Sequence, residues 1–196
     1  DRTKLEDGKE YPLSFLINDE DNTTPYGNRS LDIIVAPWPW VKLGTGKFRD
    51  DYLCSMFNGG NPEIEVTIHE HKSKKGIYMI EEMYGWPLLT EFFGGSQEEI
   101  ESQVKLTYTP VNITIDCSDP TKVVMPRQFT GIIDQDPSYG NYEIAMLTGG
   151  EGTLVNGVIT FPQEALAFVC GAGSLKANKS GLFRILLPGA ELTDYT

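Results

Sequence analysis

The sequence predicts an all-β protein with an antiparallel β-sandwich or barrel-like architecture. Short runs rich in β-branched and aromatic residues alternate between apolar and polar positions, which is the period of a strand with one buried face. Glycine (20) and proline (12) separate these runs at intervals that suit turns. Helix signals are scarce. The chain is therefore expected to fold as one continuous domain or as two packed β modules.

The clearest strand lies at 63–70, where Ile64, Val66 and Ile68 share one face and polar residues occupy the other. A polar turn follows at 72–76 and apolar residues resume at 77–80, so 63–82 is predicted to form a hairpin.

A second alternating strand is predicted at 111–116, followed by a turn and a short strand at 122–125. The pair Asn156-Gly157 between apolar runs predicts a tight hairpin over 155–161. Further strands are predicted at 13–17, 31–36, 104–108, 128–134, 142–147, 165–170 and 182–187.

One helix start is visible at Ser96, where a serine N-cap is followed three residues later by Glu99, as in a capping box. Glycines and acidic residues around 94–111 interrupt the strand pattern. The predicted organisation is a tether at 1–12, a first module at 13–110 and a second at 111–196, with one continuous domain as the alternative.

The composition is acidic, with 28 acidic and 16 basic residues and a net charge of −12. Such a surface repels phosphate backbones, so nucleic acid is not an expected partner. The longest nearly uncharged run, 165–175, is much shorter than the ~20 residues that a membrane-spanning helix needs, so no transmembrane segment is expected.

Three cysteines, Cys54, Cys117 and Cys170, occur without a CxxC pair, which argues against a structural zinc site. Two arrangements are consistent with them. Either two form a disulfide and one is free, or all three are buried thiols, which is the favoured arrangement because each is flanked by strand-like residues.

Several short motifs resemble a family of uncharacterised surface lipoproteins of Bacteroidetes, over residues 38–188. The first begins at Trp40 and runs through Leu43-Gly44-Thr45-Gly46 to Asp50-Asp51, followed by the strand at 63–70 and by Gly76-Ile77-Tyr78. The others are Ile113-Thr114-Ile115-Asp116 with Asp119-Pro120, and Asn156-Gly157-Val158-Ile159-Thr160-Phe161.

The resemblance implies an exported β-rich protein at the bacterial cell surface or outer membrane. It implies a lipid anchor on an N-terminal cysteine that this sequence does not contain. The expected function is non-catalytic adhesion or ligand capture, and the alternative is glycan binding within a polysaccharide-uptake system. The partner would be another surface protein or a glycan. The family supplies no catalytic residues.

Exposed aromatic residues are the candidate ligand-binding groups. Trp38 and Trp40 lie two residues apart between prolines, so in an extended chain both indoles project to the same side. Trp86 lies in a second apolar loop. Paired indoles can stack on sugar rings or anchor a protein partner, whereas the alternative is that all three rings are packed in the core.

Two weak metal-ligand patterns are present, although no metal or other cofactor is expected. His69 and His71 share a strand face, and Asp19 and Asp21 lie in an oxygen-rich loop. Exposed, solvated histidines and a solvated acidic turn are the favoured alternatives.

Catalysis has little support in the sequence. There is no GxSxG motif, and the adjacent carboxylates Asp50/Asp51 and Glu81/Glu82 point to opposite faces of an extended chain. A glycoside hydrolase built from distant carboxylates is the least favoured function. Instead, Asp50 and Asp51 are expected to close their loop by accepting backbone N–H groups, while Gly44 and Gly46 are expected to form a tight turn.

Overall fold

The structure, a computed structural model, describes residues 10–16, 28–34 and 38–192. The chain divides into two compact units, 1–39 and 40–196. In the first unit, β1 (Glu10–Leu16) and β2 (Asn28–Ile34) form a two-stranded antiparallel sheet. These strands overlap the predictions at 13–17 and 31–36. The predicted tether at 1–12 instead ends inside β1.

The second unit contains a seven-stranded antiparallel sheet. Its strands are β3 (Trp40–Arg49), β4 (Glu63–His71), β5 (Ile77–Glu81), β7 (Asn112–Asp116), β10 (Thr153–Val155), β11 (Val158–Thr160) and β14 (Arg184–Leu186). Their spatial order is β10-β11-β14-β3-β4-β5-β7. The predicted hairpins at 63–82 and 155–161 are confirmed as β4–β5 and β10–β11.

A five-stranded antiparallel sheet completes the second unit. It consists of β6 (Leu106–Tyr108), β8 (Gln128–Asp134), β9 (Asn141–Met146), β12 (Leu166–Cys170) and β13 (Gly173–Ala177), in the order β13-β12-β9-β8-β6. Apolar residues of both sheets belong to one buried cluster, in which Phe168 stacks on Tyr52 with the ring centroids 4.7 Å apart. The all-β prediction is confirmed.

One short segment bonds to both edges of the seven-stranded sheet and so brings these two edges together. Val124 exchanges two backbone hydrogen bonds with Asp116 of β7, at 2.9 and 3.0 Å. Its neighbour Val123 exchanges two with Gly152, directly before β10, at 2.8 and 2.9 Å. The strand predicted at 122–125 is thus a pair of isolated bridges that joins two otherwise open edges.

Strand pairing crosses the predicted module boundary at 110. β5 pairs with β7, and β6 pairs with β8, so each sheet combines strands from both sides of that position. Of the two alternatives, this pairing favours one continuous domain over residues 40–192.

The tight turn predicted at Gly44 and Gly46 is wrong, since both lie inside the ten-residue strand β3. Gly44 follows a shift in register against β4 and has φ of 145°. At Gly46 a Cβ atom would lie 2.2 Å from the carbonyl oxygen of Leu186 and 2.5 Å from Cδ1 of Ile68. Close packing of strand against strand, rather than a turn, therefore requires this glycine.

The helical content is larger than the sequence predicts. It comprises α1 (Cys54–Phe57), α2 (Trp86–Phe93), α3 (Gln97–Glu99) and a π-helical turn, Ile100–Val104. The capping box at Ser96 and Glu99 is confirmed. None of the helices in the described part of the chain is long and apolar enough to cross a membrane.

The three cysteines are free thiols, and only Cys117 is fully buried. The favoured arrangement of three buried thiols is therefore wrong, because Cys54 and Cys170 are only partly buried. Cys54 begins α1, and its thiol donates to the carbonyl oxygen of Gly59 at 3.0 Å. Burial raises the pKa of Cys117 to about 12, which keeps this thiol protonated and unreactive at neutral pH.

Candidate functional site

The three tryptophans lie in different environments. Trp38 is 36% exposed, whereas Trp40 and Trp86 are half-buried. The ring of Trp40 packs edge-to-face on His71 with the centroids 5.2 Å apart, and Trp86 makes a similar contact with Tyr108 at 6.2 Å. The indoles of Trp40 and Trp86 therefore pack against other side chains. This weakens the hypothesis that the tryptophans form a ligand-binding surface.

The predicted exposure of His69 is wrong, since its side chain is only 7% exposed. It lies on β4 between the strands β3 and β5, and its Nε2 is 2.6 Å from Oε1 of Glu81. His71 uses Nδ1 to accept the backbone N–H groups of Ser73 and Lys74 at 3.2 and 3.1 Å. Each ring thus has a separate structural contact.

Within the described ranges, no group of three or more His, Cys, Asp or Glu side chains is placed to hold a metal ion. Asp19 and Asp21, the other candidate ligands, lie outside the described residues.

Asp50 and Asp51 accept backbone N–H groups, as the sequence predicts, but they do not close a turn at Gly44 and Gly46, which lie inside β3. Asp50 accepts from Tyr52 and Leu53, at 3.2 and 3.1 Å. Asp51 accepts from Ser180 and Leu182, at 2.9 and 3.1 Å. Both side chains are completely buried, and this burial raises the pKa of Asp50 to about 7.

Three other carboxylates line an open cavity of about 200 Å³ between β4 and α2: Glu65, Glu81 and Glu82. One of them, Glu81, also bonds to His69 through Oε1.

A surface that the sequence does not predict lies on the loop between β8 and β9. This loop is fixed by its own hydrogen bonds: the Asp134 side chain accepts from the N–H of Asp136 at 2.8 Å, and the Asp136 side chain accepts from that of Ser138 at 2.9 Å. The carbonyl of Asp136 also accepts the N–H groups of Tyr139 and Gly140 at 3.0 and 3.1 Å. These contacts hold the loop in one conformation.

The same loop is attached to the turn between β12 and β13. The N–H of Gly171 donates to the carbonyl oxygen of Tyr139 at 2.7 Å. A Cβ atom at Gly171 would lie 2.7 Å from the carbonyl oxygen of Ser138, so only glycine allows this close approach. Tyr139, at the point where the two segments meet, remains 38% exposed.

A cavity of about 300 Å³ lies beside this ring, with Arg127, Asn141 and Glu143 on its polar side. We call these three residues and Tyr139 the Tyr139 surface. Asn141 and Glu143 alternate on β9 with the buried Tyr142, and Arg127 Nε pairs with Glu143 Oε2. The alternating pattern at 141–143 was the only sequence signal for this surface, because Arg127 and Tyr139 belong to other segments.

A second cavity, of about 200 Å³, is also lined by Tyr139. We call it the β13 cavity; its walls include the apolar side chains of Met56, Phe168, Cys170 and Leu175. Leu175 is 50% exposed and lies at the centre of β13. Tyr139 and Cys170 are shared by both cavities, so a polar and an apolar depression adjoin each other.

No family model, curated protein or solved structure matches this chain. The resemblance to Bacteroidetes surface lipoproteins therefore stays a prediction from the sequence.

Proposed function

We propose that this chain is a non-catalytic ligand-capture protein that binds a saccharide at the Tyr139 surface. The observation that carries the proposal is an exposed tyrosine ring on a fixed loop, next to a cavity edged by an amide, a guanidinium and a carboxylate. A sugar ring presents C–H groups to an aromatic face and hydroxyl groups to planar polar side chains. At this surface the Tyr139 ring can contact the C–H groups, and the polar side chains can form hydrogen bonds with the hydroxyl groups.

Each polar residue of the surface has a distinct role in this proposal. The amide of Asn141 can donate to one hydroxyl and accept from another, whereas Arg127 only donates and ionised Glu143 only accepts. Arg127 and Glu143 already form an ion pair, so the surface has no uncompensated charge. A neutral saccharide is therefore a better ligand than an anionic one.

The size and rigidity of the site also support this ligand. A volume of about 300 Å³ is at the lower end of the range for small-molecule sites, which suits one sugar residue at a time. Because the loop is already held by the contacts of Asp134, Asp136 and Gly171, binding would not have to order it. That reduces the entropic cost of association.

A position at the bacterial cell surface, with export and an N-terminal lipid anchor, belongs to the same proposal. Its support is the resemblance of residues 38–188 to surface lipoproteins. Capture of a glycan, or adhesion to another surface protein, would both suit that location.

A glycan array followed by calorimetric titration of the best neutral oligosaccharide tests the proposal. Asn141→Ala removes two hydrogen bonds and should weaken binding about tenfold or more. Tyr139→Ala should weaken it by a similar factor, while Tyr139→Phe keeps the ring and should bind normally. Trp38→Ala is the matched aromatic control and should leave the affinity unchanged.

The absence of any bound neutral glycan on the array would contradict the proposal. So would equal affinities of the unaltered chain and Asn141→Ala. If Trp38→Ala were the only variant to lose binding, the saccharide would bind at the tryptophans instead of at the Tyr139 surface. Release of a shortened product from the bound oligosaccharide, detected by mass spectrometry, would show that the protein is an enzyme.

A further inference from the structure

The edges of the two large sheets are protected to different degrees. In the seven-stranded sheet, β7 and β10 are tied together through Val123 and Val124. In the five-stranded sheet, the edge strand β6 is only three residues long, and none of its residues is exposed. The opposite edge strand, β13, has five residues and its first four are exposed. Short, covered or charged edges prevent pairing with other chains, and β13 is longer and more exposed than β6.

The side chains of β13 also give its edge little protection against pairing with another strand. Its one charged residue, Lys176, is neutralised by Glu164 at 2.8 Å. At its centre is Leu175, half of which is exposed. An exposed strand with a central leucine, a neutralised lysine and only β12 as its paired neighbour is a template for one more strand.

The β13 cavity lies directly beside this edge, between β13 and Met56 of α1. None of the residues that line it is charged. In strand addition, backbone hydrogen bonds supply affinity, and pockets for alternate side chains supply specificity. An added strand would present alternate side chains to the same face, and an apolar one could enter this cavity.

We propose that β13 binds an extended segment of another protein by strand addition, with one apolar side chain in the β13 cavity. This partner is additional to the saccharide of the proposed function and is bound by different residues. Tyr139 and Cys170 line both cavities, so the experiments below leave them unchanged.

The charge of the chain favours a basic partner segment over a second copy of this protein. Two copies would each have a net charge of −12, and like charges of this size oppose self-association. The same field attracts segments in which lysine or arginine flanks the apolar residue, and it accelerates their association at low salt. The expected occupant is therefore an extended, basic segment with an apolar residue at its centre.

A set of labelled synthetic peptides tests this proposal by fluorescence anisotropy. The parent peptide is Lys-Thr-Val-Leu-Val-Thr-Lys with capped ends. Its matched controls replace the leucine by serine or both lysines by glutamate. Two further versions are N-methylated at one or the other set of alternate residues, because only one set of N–H groups can face β13.

We expect the parent peptide to bind, the serine and glutamate versions to bind at least about tenfold more weakly, and only one of the two N-methylated versions to lose binding. In the protein, Leu175→Ser should weaken binding about tenfold. Val155→Ser, a change at a similarly exposed apolar position in the edge strand β10, should have no effect. Amide chemical shifts should change at 173–177 in the unaltered protein.

Three results would overturn the proposal: no binding of any peptide at millimolar concentration, equal behaviour of the two N-methylated versions, or shift changes away from β13. A dimer by sedimentation equilibrium that the parent peptide dissociates would assign the edge to a second copy instead. Asn141→Ala should leave peptide binding intact and Leu175→Ser should leave saccharide binding intact, so either proposal can fail without the other.

Discussion

The side-chain amide of Gln128 pairs with the backbone of Thr114 as a neighbouring strand would. Its Oε1 accepts the N–H of Thr114 and its Nε2 donates to the carbonyl of Thr114, both at 2.8 Å. Thr114 lies in β7, the last strand of the seven-stranded sheet, and Gln128 begins β8 in the other sheet. One side chain thus satisfies an edge residue and links the two sheets.

Replacing Gln128 should therefore destabilise the second unit. Gln128→Glu keeps the acceptor but removes the donor, so the Thr114 carbonyl loses its partner, at a cost of about 1–3 kcal/mol in the free energy of unfolding. Urea denaturation measures this cost, and faster hydrogen exchange of the Thr114 amide in Gln128→Ala would localise it.

The control is Gln97→Ala, which removes one exposed hydrogen bond to Glu101 and should change the free energy of unfolding by less than about 0.5 kcal/mol. Equal effects of these changes would show that the Gln128 pairing is unimportant.

Asp50 should make the protein less stable as the pH rises from about 4 to about 7. Burial raises its pKa from 3.8 to about 7, so the folded state binds the proton more tightly than the unfolded state does. Stability is therefore greatest while this carboxyl is protonated, and ionisation costs on the order of 4 kcal/mol. Asn at this position remains neutral, so Asp50→Asn should flatten the decrease in unfolding free energy between about pH 4 and pH 7.

Asp119 provides a control with the opposite sign. Hydrogen bonds from the Thr121 hydroxyl and N–H lower its pKa, so it stabilises the folded state above its ordinary pKa and loses that effect as the pH falls. Asp119→Asn should therefore lower the free energy of unfolding above about pH 4, have less effect in acid, and leave the slope from pH 5 to pH 7 unchanged. An unaltered slope in Asp50→Asn would contradict the role assigned to Asp50.

Gly46→Ala should be one of the most damaging single changes in β3. The added Cβ would meet the carbonyl oxygen of Leu186 on the paired strand, and a backbone atom cannot move away as a side chain can. We expect a loss of about 3 kcal/mol or more in unfolding free energy, or failure to fold. Gly60 has no heavy atom within 4 Å of its Cβ position, so Gly60→Ala should be neutral or stabilising by up to about 1 kcal/mol. Thermal denaturation should show a much lower melting temperature for Gly46→Ala and an unchanged or higher one for Gly60→Ala.

The capping box before α3 should contribute measurably to stability. The Ser96 hydroxyl accepts the N–H of Glu99 at 3.3 Å, and the Glu99 carboxylate accepts the N–H of Ser96 at 2.7 Å. Ser96→Ala should lower the free energy of unfolding by about 1 kcal/mol. Ser102→Ala, which removes only a hydroxyl bond to the Glu99 carbonyl, is the matched control. Indistinguishable denaturation midpoints for the two variants would argue against the cap.

Local patterns identified most of the strands because they depend on neighbouring residues. The alternation at 63–70 and the pair Asn156-Gly157, which has φ of 50° and 78°, each predicted the observed hairpin. Helix α2 was missed because its start has no side-chain N-cap bond; it begins with Trp86-Pro87 after Gly85. The candidate tryptophans were chosen by spacing, which does not reveal which rings pack against His71 or Tyr108.

The sequence by itself determined the β class, the two hairpins at 63–82 and 155–161 and the core-facing residues Ile64, Val66 and Ile68, since a two-residue period and turn chemistry are local properties. Only the tertiary structure decided the rest. It brought the carbonyl of Leu186 against Gly46, buried Asp50, paired Gln128 with Thr114 and assembled the Tyr139 surface from three segments. Each of these relationships joins residues that are distant in the chain, and no short-range pattern specifies which distant strands will become neighbours.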